Sequence, residues 1–248
     1  MMIRYCMIIE YNGSGYFGWQ RQKNGSSIQG SIEKAIFLVT GEIVVVHGAG
    51  RTDSGVHALR QVAHFDLVRE WVPVILCKAL NAYLKISDTI SILNLSIVDK
   101  QFHARFSAIR RSYLYRIITR QAPLALEKGR AWLIPKSLDC ENMRIAAQHL
   151  VGRHDFTTFR SIHCQASSPI RTIDHFDVNS FGNLIEIRVV ARSFLHTQIR
   201  SFVGSLKLVG DGKWTSTDLE KALQAQDRKE CGPLAPPEGL YFDSVEYS

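Results

Sequence analysis

The chain holds 248 residues, 46% of them hydrophobic, so it can bury one large core or two ordinary ones. A formal net charge of +7 suits a polyanionic partner or simply a basic surface, and by itself it does not single out nucleic acid. No segment reaches roughly 18 uninterrupted apolar residues, and the opening Met1-Met2-Ile3-Arg4-Tyr5 runs into a strand, which argues against a membrane span and a secretion signal.

In chain order, the first half predicts a strand at 3–10, a helix at 28–39, strands at 43–46 and 61–67, a helix at 74–84 and a strand at 90–95. Ile28, Ile32, Ala35, Ile36 and Val39 recur at helical spacing, with Ser27 placed to cap the helix and Gly41 beyond its end. The second half repeats the order with longer connections. It predicts a strand at 112–118, a helix at 140–150, strands at 170–178 and 184–190, a helix at 197–208 and a strand at 239–246, with a further short helix at 217–224. Asp139 caps the helix at 140–150, whose inward face is Met143, Ala146, Ala147 and Leu150, and Gly152 follows. The expected fold class is α+β, built from two split β-α-β, ferredoxin-like halves. Their boundary is placed at 104/105, with an N-terminal domain over 1–104 and a C-terminal domain over 105–248. An RNA groove where the two sheets meet would explain why both halves carry distinctive polar loops.

Cys6, Cys77, Cys140, Cys164 and Cys231 are scattered, odd in number and without Cys-x-x-Cys spacing. They are read as thiols in a reducing compartment, the cytoplasm, and not as a disulfide framework or a thiolate zinc site. Positive charge is concentrated in the middle of the chain, with 12 Lys or Arg against 4 Asp or Glu between Arg105 and Arg171. If those side chains share a face, that face is basic.

The chemistry centres on Gly48-Ala49-Gly50-Arg51-Thr52-Asp53-Ser54-Gly55-Val56-His57-Ala58, a glycine-punctuated polar run between two predicted strands. An isolated aspartate is most simply a loop cap or an ion-pair partner; set between Arg51 and His57, Asp53 reads instead as a nucleophile. His57 has the right chemistry for acid–base work, but hydrogen bonding or RNA contact fits it equally well. The run from Arg105 through Arg110, Arg111 and Tyr113 to Arg116 mixes cations with aromatics. It is suited to phosphates and a stacked base, or is an amphipathic strand with Tyr113 and Tyr115 opposite Leu114. Arg200 falls among Ile199, Phe202, Val203 and Leu206 on a packed helix face, so it either pairs with a carboxylate such as Asp53 or reaches solvent. The polar, aromatic segment that includes His154, Asp155, Phe159, Arg160, His163 and Cys164 lacks a complete ligand set and is read as structural or RNA-contacting, so no metal or organic cofactor is expected.

Several motifs together resemble the tRNA pseudouridine synthase family that modifies the anticodon stem-loop, in particular the bacterial enzymes acting at its 3′ side. They are residues 11–20 (Tyr-Asn-Gly-Ser-Gly-Tyr-Phe-Gly-Trp-Gln), 50–58, 105–115, 154–173, 194–206 and 235–241, and they span almost the whole chain. Asn12 stands where the family more often has Asp, and Thr197 where a second histidine is often present. The resemblance implies isomerisation of uridine to pseudouridine at positions 38 to 40 of tRNA. In that reading Asp53 is the nucleophile, Tyr113 stacks on the target base and Arg200 pairs with Asp53. Arg51, His57, Arg105, Arg110, Arg111, Phe159, Arg160, Leu195 and His196 are then the expected substrate-binding residues. It also implies two halves joined through a broad, mainly antiparallel mixed sheet with a central cleft, and a homodimer with no obligate protein partner. A noncatalytic RNA-binding module and a small-molecule isomerase remain the competing readings.

Overall fold

Strand β1 (Ile3–Tyr11) shows why the N-terminal segment is extended: Tyr5, Met7, Ile9 and Tyr11 alternate inward, at 2% exposure or less. The computed structural model describes residues 2–22, 25–85 and 89–248; Met1, read above as leading into this strand, lies outside them. The chain divides into two units, Met1–Ile109 with Tyr241–Ser248, and Arg110–Leu240. Both are of mixed α+β type.

In the first unit, helix α1 (Ile28–Thr40) begins where Ser27 accepts a hydrogen bond from the Gly30 amide and ends at left-handed Gly41 (φ 76°). Strand β2 is only His47–Gly48 and lies antiparallel to β3 (His57–Leu67). After α2 (Pro73–Leu84), whose Leu76, Leu80 and Leu84 face inward, β4 (Ile90–Val98) pairs with β1, and β1 pairs with β3. Tyr5 on β1 stacks on its cross-strand partner Phe65 at 5.5 Å.

The run at 43–46 does not form the strand its β-branched residues predict. Ile43 and Val45 are exposed, only Val46 is buried, and the Val46 amide donates to the Glu33 carboxylate of α1 (3.0 Å) instead of to a neighbouring strand. That buried carboxylate also accepts from Gln29 (2.8 Å) and Arg21 (3.1 Å). A helix-borne acceptor has therefore taken the donor a ladder would need.

In the second unit, β5 (Ala108–Thr119, counted in this unit from Arg110 onward) runs antiparallel to β9 (Leu184–Ala191), β9 to β8 (Ile170–Phe181) and β8 to β7 (Gly152–Asp155). β6 (Trp132–Ile134) lies parallel to β5. The short β6 and β7 were not among the predicted elements. Helix α3 (Cys140–Gln148) is capped by Asp139 and turns Met143, Ala146 and Ala147 fully inward, as its spacing predicts, with Leu150 just beyond its end also buried. The longer α4 (Gln198–Gly210) places Phe202 at the centre of the core, where Phe159, Phe156 and Phe176 meet it at 5.1, 5.3 and 5.7 Å. Helix α5 (Ser216–Ala225) starts in a capping box between Thr215 and Asp218.

The last strand, β10 (Leu240–Tyr247), was read as closing the second half. It pairs in parallel with β3 through Tyr241 beside His57 and Phe242 beside Ala58, and its residues from Tyr241 onward belong to the first unit.

Candidate active site

Between β2 and β3 the chain makes the loop that carries Asp53, and nearly every peptide around that residue is tied down. The Ala49 amide donates to Val62 (2.8 Å), Gln61 donates to the Gly50 carbonyl (2.8 Å), and the Trp19 amide donates to the Thr52 carbonyl (3.1 Å). The Asp53 carbonyl accepts from Val56 across a tight turn completed by left-handed Gly55 (φ 78°), and the Ser54 hydroxyl donates to the Tyr16 carbonyl. Asp53 itself is half-buried.

Segment 11–20 supplies the other side of this clamp. The Tyr11 hydroxyl and the Thr52 hydroxyl share a buried hydrogen bond of 2.8 Å. Burial pushes the Tyr11 phenol up to about 12, so it stays protonated. A Cβ on Gly18, which has φ 85°, would lie 2.6 Å from the Thr52 carbonyl oxygen, and one on Gly13 would lie 2.0 Å from that of Val56. These two glycines let one backbone pass against the other. Sequence reasoning identified segment 11–20 as a motif but gave it no task; its Gly-x-x-x-x-Gly spacing is visible, while the opposing loop that demands it is far away in sequence.

His57 is 2% exposed. Its Nδ1 accepts from the Gly13 amide (3.1 Å), which leaves the ring proton on Nε2, and its ring stacks on Tyr241 at 4.8 Å. Expected as a substrate contact, it is placed as a joint between segment 11–20, β3 and β10. Arg51 and Arg105 are exposed.

The second unit holds the remaining predicted residues. Tyr113 is 9% exposed and meets Phe194 edge-on at 5.1 Å. Leu114 and Tyr115 are buried as well, so β5 is covered on both faces and is not the half-exposed strand its alternation suggests. Tyr115 donates to the Pro236 carbonyl (2.8 Å), and burial followed by the charge of Glu238 raises its phenol far above the usual range. Arg110 lies 3.6 Å from Asp174, whereas buried Arg111 donates to the Arg192 carbonyl. Phe159 is fully buried in the Phe202 cluster and presents no face to a ligand; it is a core residue.

Arg160, Leu195 and His196 are brought together, because the Ser161 amide donates to the His196 carbonyl (3.0 Å). Leu195 is buried, His196 exposed and Arg160 in between. Next to them Thr197 takes a left-handed conformation (φ 62°) that a β-branched residue avoids, a strain characteristic of functional turns. Its hydroxyl is buried without a partner, while Gln198 folds back to accept from the Leu195 amide (2.7 Å). Nothing in residue type signals that strain. Arg200 donates through Nε to the Ala235 carbonyl (2.7 Å), and the Ala235 amide returns a bond to the Arg200 carbonyl (3.1 Å). Gly204, one turn further along α4, lets this segment lie flush: a Cβ there would sit 1.6 Å from the Pro233 carbonyl oxygen. Among the described residues, no group of three or more His, Cys, Asp or Glu is arranged to hold a metal ion.

The family model described as tRNA pseudouridine synthase matches residues 7–107 and 146–248, which include the clamp, the Asp53 loop and the Arg200 helix. The tRNA pseudouridine synthase A of Sinorhizobium fredii is 65% identical over 99% of this chain and 100% of its own length. That of Rhizobium meliloti is 63% identical over the same shares. The protein of the same name from Beijerinckia indica is 56% identical over 99% of this chain and 94% of its own length. A match that runs from end to end and takes in every segment of the clamp admits one conclusion: the chain is a member of the bacterial tRNA pseudouridine synthase A family.

Proposed function

We propose that this enzyme isomerises uridine to pseudouridine at positions 38, 39 and 40 in the anticodon stem-loop of tRNA, with Asp53 as nucleophile. The observation that carries the reading is the immobilised Asp53 loop within a family match of nearly full length. The reaction breaks the bond between C1′ and N1, holds and turns the freed base, and joins C1′ to C5; the C5 proton leaves to water and N1 gains one. A carboxylate cannot reach its target in a stacked base, so the uridine is flipped out of the helix. A fixed carboxylate needs no reorganisation when the sugar arrives.

In this reading Tyr113 stacks on the flipped base and Arg200 is the cation that serves Asp53. Arg51, Arg105, Arg110, Arg111, Arg160 and His196 engage the RNA. His57 and Leu195 are buried packing residues of their own units, and Phe159 belongs to the core of the second unit. In this reading each unit is a ferredoxin-like split β-α-β half, and the enzyme is a cytoplasmic homodimer.

The test is release of tritium from unmodified tRNA labelled at uridine C5, with Asp53→Ala and Asp53→Asn as controls. Release by the wild type that both variants abolish, with their melting temperatures near that of the wild type, is the expected result. Tight tRNA binding without release would favour a noncatalytic RNA-binding module, and near-normal release by either variant would remove Asp53 from the chemistry.

A further inference from the structure

A phenyl ring stands open on the first unit. Phe106 is 72% exposed, yet its surroundings hold its orientation. It lies 4.4 Å from the His103 ring at an interplanar angle of 36°, and the Arg105 guanidinium sits 5.4 Å over its own ring. His103 Nδ1 accepts from both the Arg105 and Phe106 amides (3.1 and 3.3 Å), which fixes the imidazole under the phenyl ring.

Segment 99–107 is itself anchored at several points. Arg4 is bound through Nε and Nη2 to Asp66, and its Nη1 donates to the carbonyls of Lys100 (2.7 Å) and Phe102 (2.8 Å). Tyr247 donates to the Ala104 carbonyl (2.8 Å), and the Ala104 amide donates to His64 Nδ1 (3.2 Å). A single exposed apolar side chain is ordinary. A phenyl ring braced between an imidazole and a guanidinium on an anchored segment is a built surface.

The charges around it choose the partner. Lys100 and Arg105 are exposed, while Asp66 is held by Arg4 and Asp99 accepts from the Gln101 amide (2.7 Å). Flat rings flanked by cations match an unpaired nucleotide, which offers a π face and a phosphate together. We propose that Phe106 is a stacking platform for an unpaired base of the RNA substrate, with Arg105 engaging the adjoining phosphate. The proposal rests on the tRNA reading above and adds a contact to a base other than the reacting uridine.

It is tested by direct binding of the full-length protein to unmodified tRNA and to a fully paired RNA hairpin of equal length, with Phe106→Ala, Phe106→Leu and Phe106→Trp. Phe106→Ala and Phe106→Leu are expected to weaken tRNA binding about tenfold, as loss of one base–aromatic stack does, and Phe106→Trp to restore it. Binding to the hairpin stays unchanged. Equal loss on both RNAs, or full binding by Phe106→Leu, overturns the platform. So does a fall in oligomer mass of Phe106→Ala by light scattering, which would make the ring a protein contact. Tritium release by the wild type, measured in parallel, separates the two claims: turnover with unaltered binding by the variants sinks the platform alone, and absent turnover sinks the reaction while the binding comparison still stands.

Discussion

Tyr11 is linked to Asp53 through the neighbouring residue Thr52, whose hydroxyl shares a hydrogen bond with the Tyr11 hydroxyl. Tyr11→Phe leaves the Thr52 hydroxyl buried and unpaired, which is expected to cost about 1–2 kcal/mol in thermal or urea unfolding. If the clamp sets the carboxylate's position, kcat falls roughly ten- to a hundredfold at nearly unchanged tRNA affinity; wild-type kcat in this variant would reduce the clamp to a stability device. A second residue, His64, links stability to pH. It is 2% exposed, and burial, reinforced by the positive field of His103, Arg4 and His47, lowers its imidazole to about 4. Above about pH 6.5 both folded and unfolded chains carry it neutral. As pH falls towards 4 only the unfolded chain takes up the proton, so stability drops across that window and then levels. His64→Asn, which keeps an acceptor for the Ala104 amide, is expected to flatten the fall in melting temperature between pH 6.5 and 4. Asp53 stands out as a candidate at this scale because charge in a glycine-rich loop is unusual. Exposure was not legible: Phe159 and His57 are residue types that serve cores and ligands alike, and only the packed neighbours Phe202 and Tyr241 decide between them.

Helices were the most readable elements, since their caps and apolar stripes are local. Ser27, Gly41 and Asp139 stand where the spacing predicts them. The run at 43–46 failed because a distant carboxylate, Glu33, captures the donor of Val46, and β6 and β7 are too short to develop a period. Helix α4 carries a constraint of the same long-range kind at Gly204. Gly204→Ala pushes the 233–235 segment away from the helix and breaks the paired bonds between Arg200 and Ala235. We expect a loss of about 1–3 kcal/mol, read as a lower denaturant midpoint, together with reduced turnover. A normal midpoint would mean that the segment accommodates the methyl group by shifting.

At the scale of the molecule, the excess of 8 positive charges between Arg105 and Arg171 is expected to attract an RNA substrate if those side chains share a face. Raising salt from about 50 to 200 mM is expected to weaken tRNA binding by at least about tenfold while leaving kcat at saturating tRNA little changed; a flat salt response would refute a basic RNA face. The order of elements foreshadowed two α+β halves, but not which half would own the last strand, because strand pairing across more than a hundred residues leaves no local mark. That ownership has a consequence for biosynthesis. As β1, β3 and the Asp53 loop leave the ribosome, the edge of β3 beside His57 and Ala58 has no strand to cover it until Tyr241 and Phe242 are made. At bacterial elongation speeds of about 5–20 residues per second, the intervening second unit takes roughly ten seconds to synthesise. For that interval the first unit offers an open β edge to any neighbouring chain.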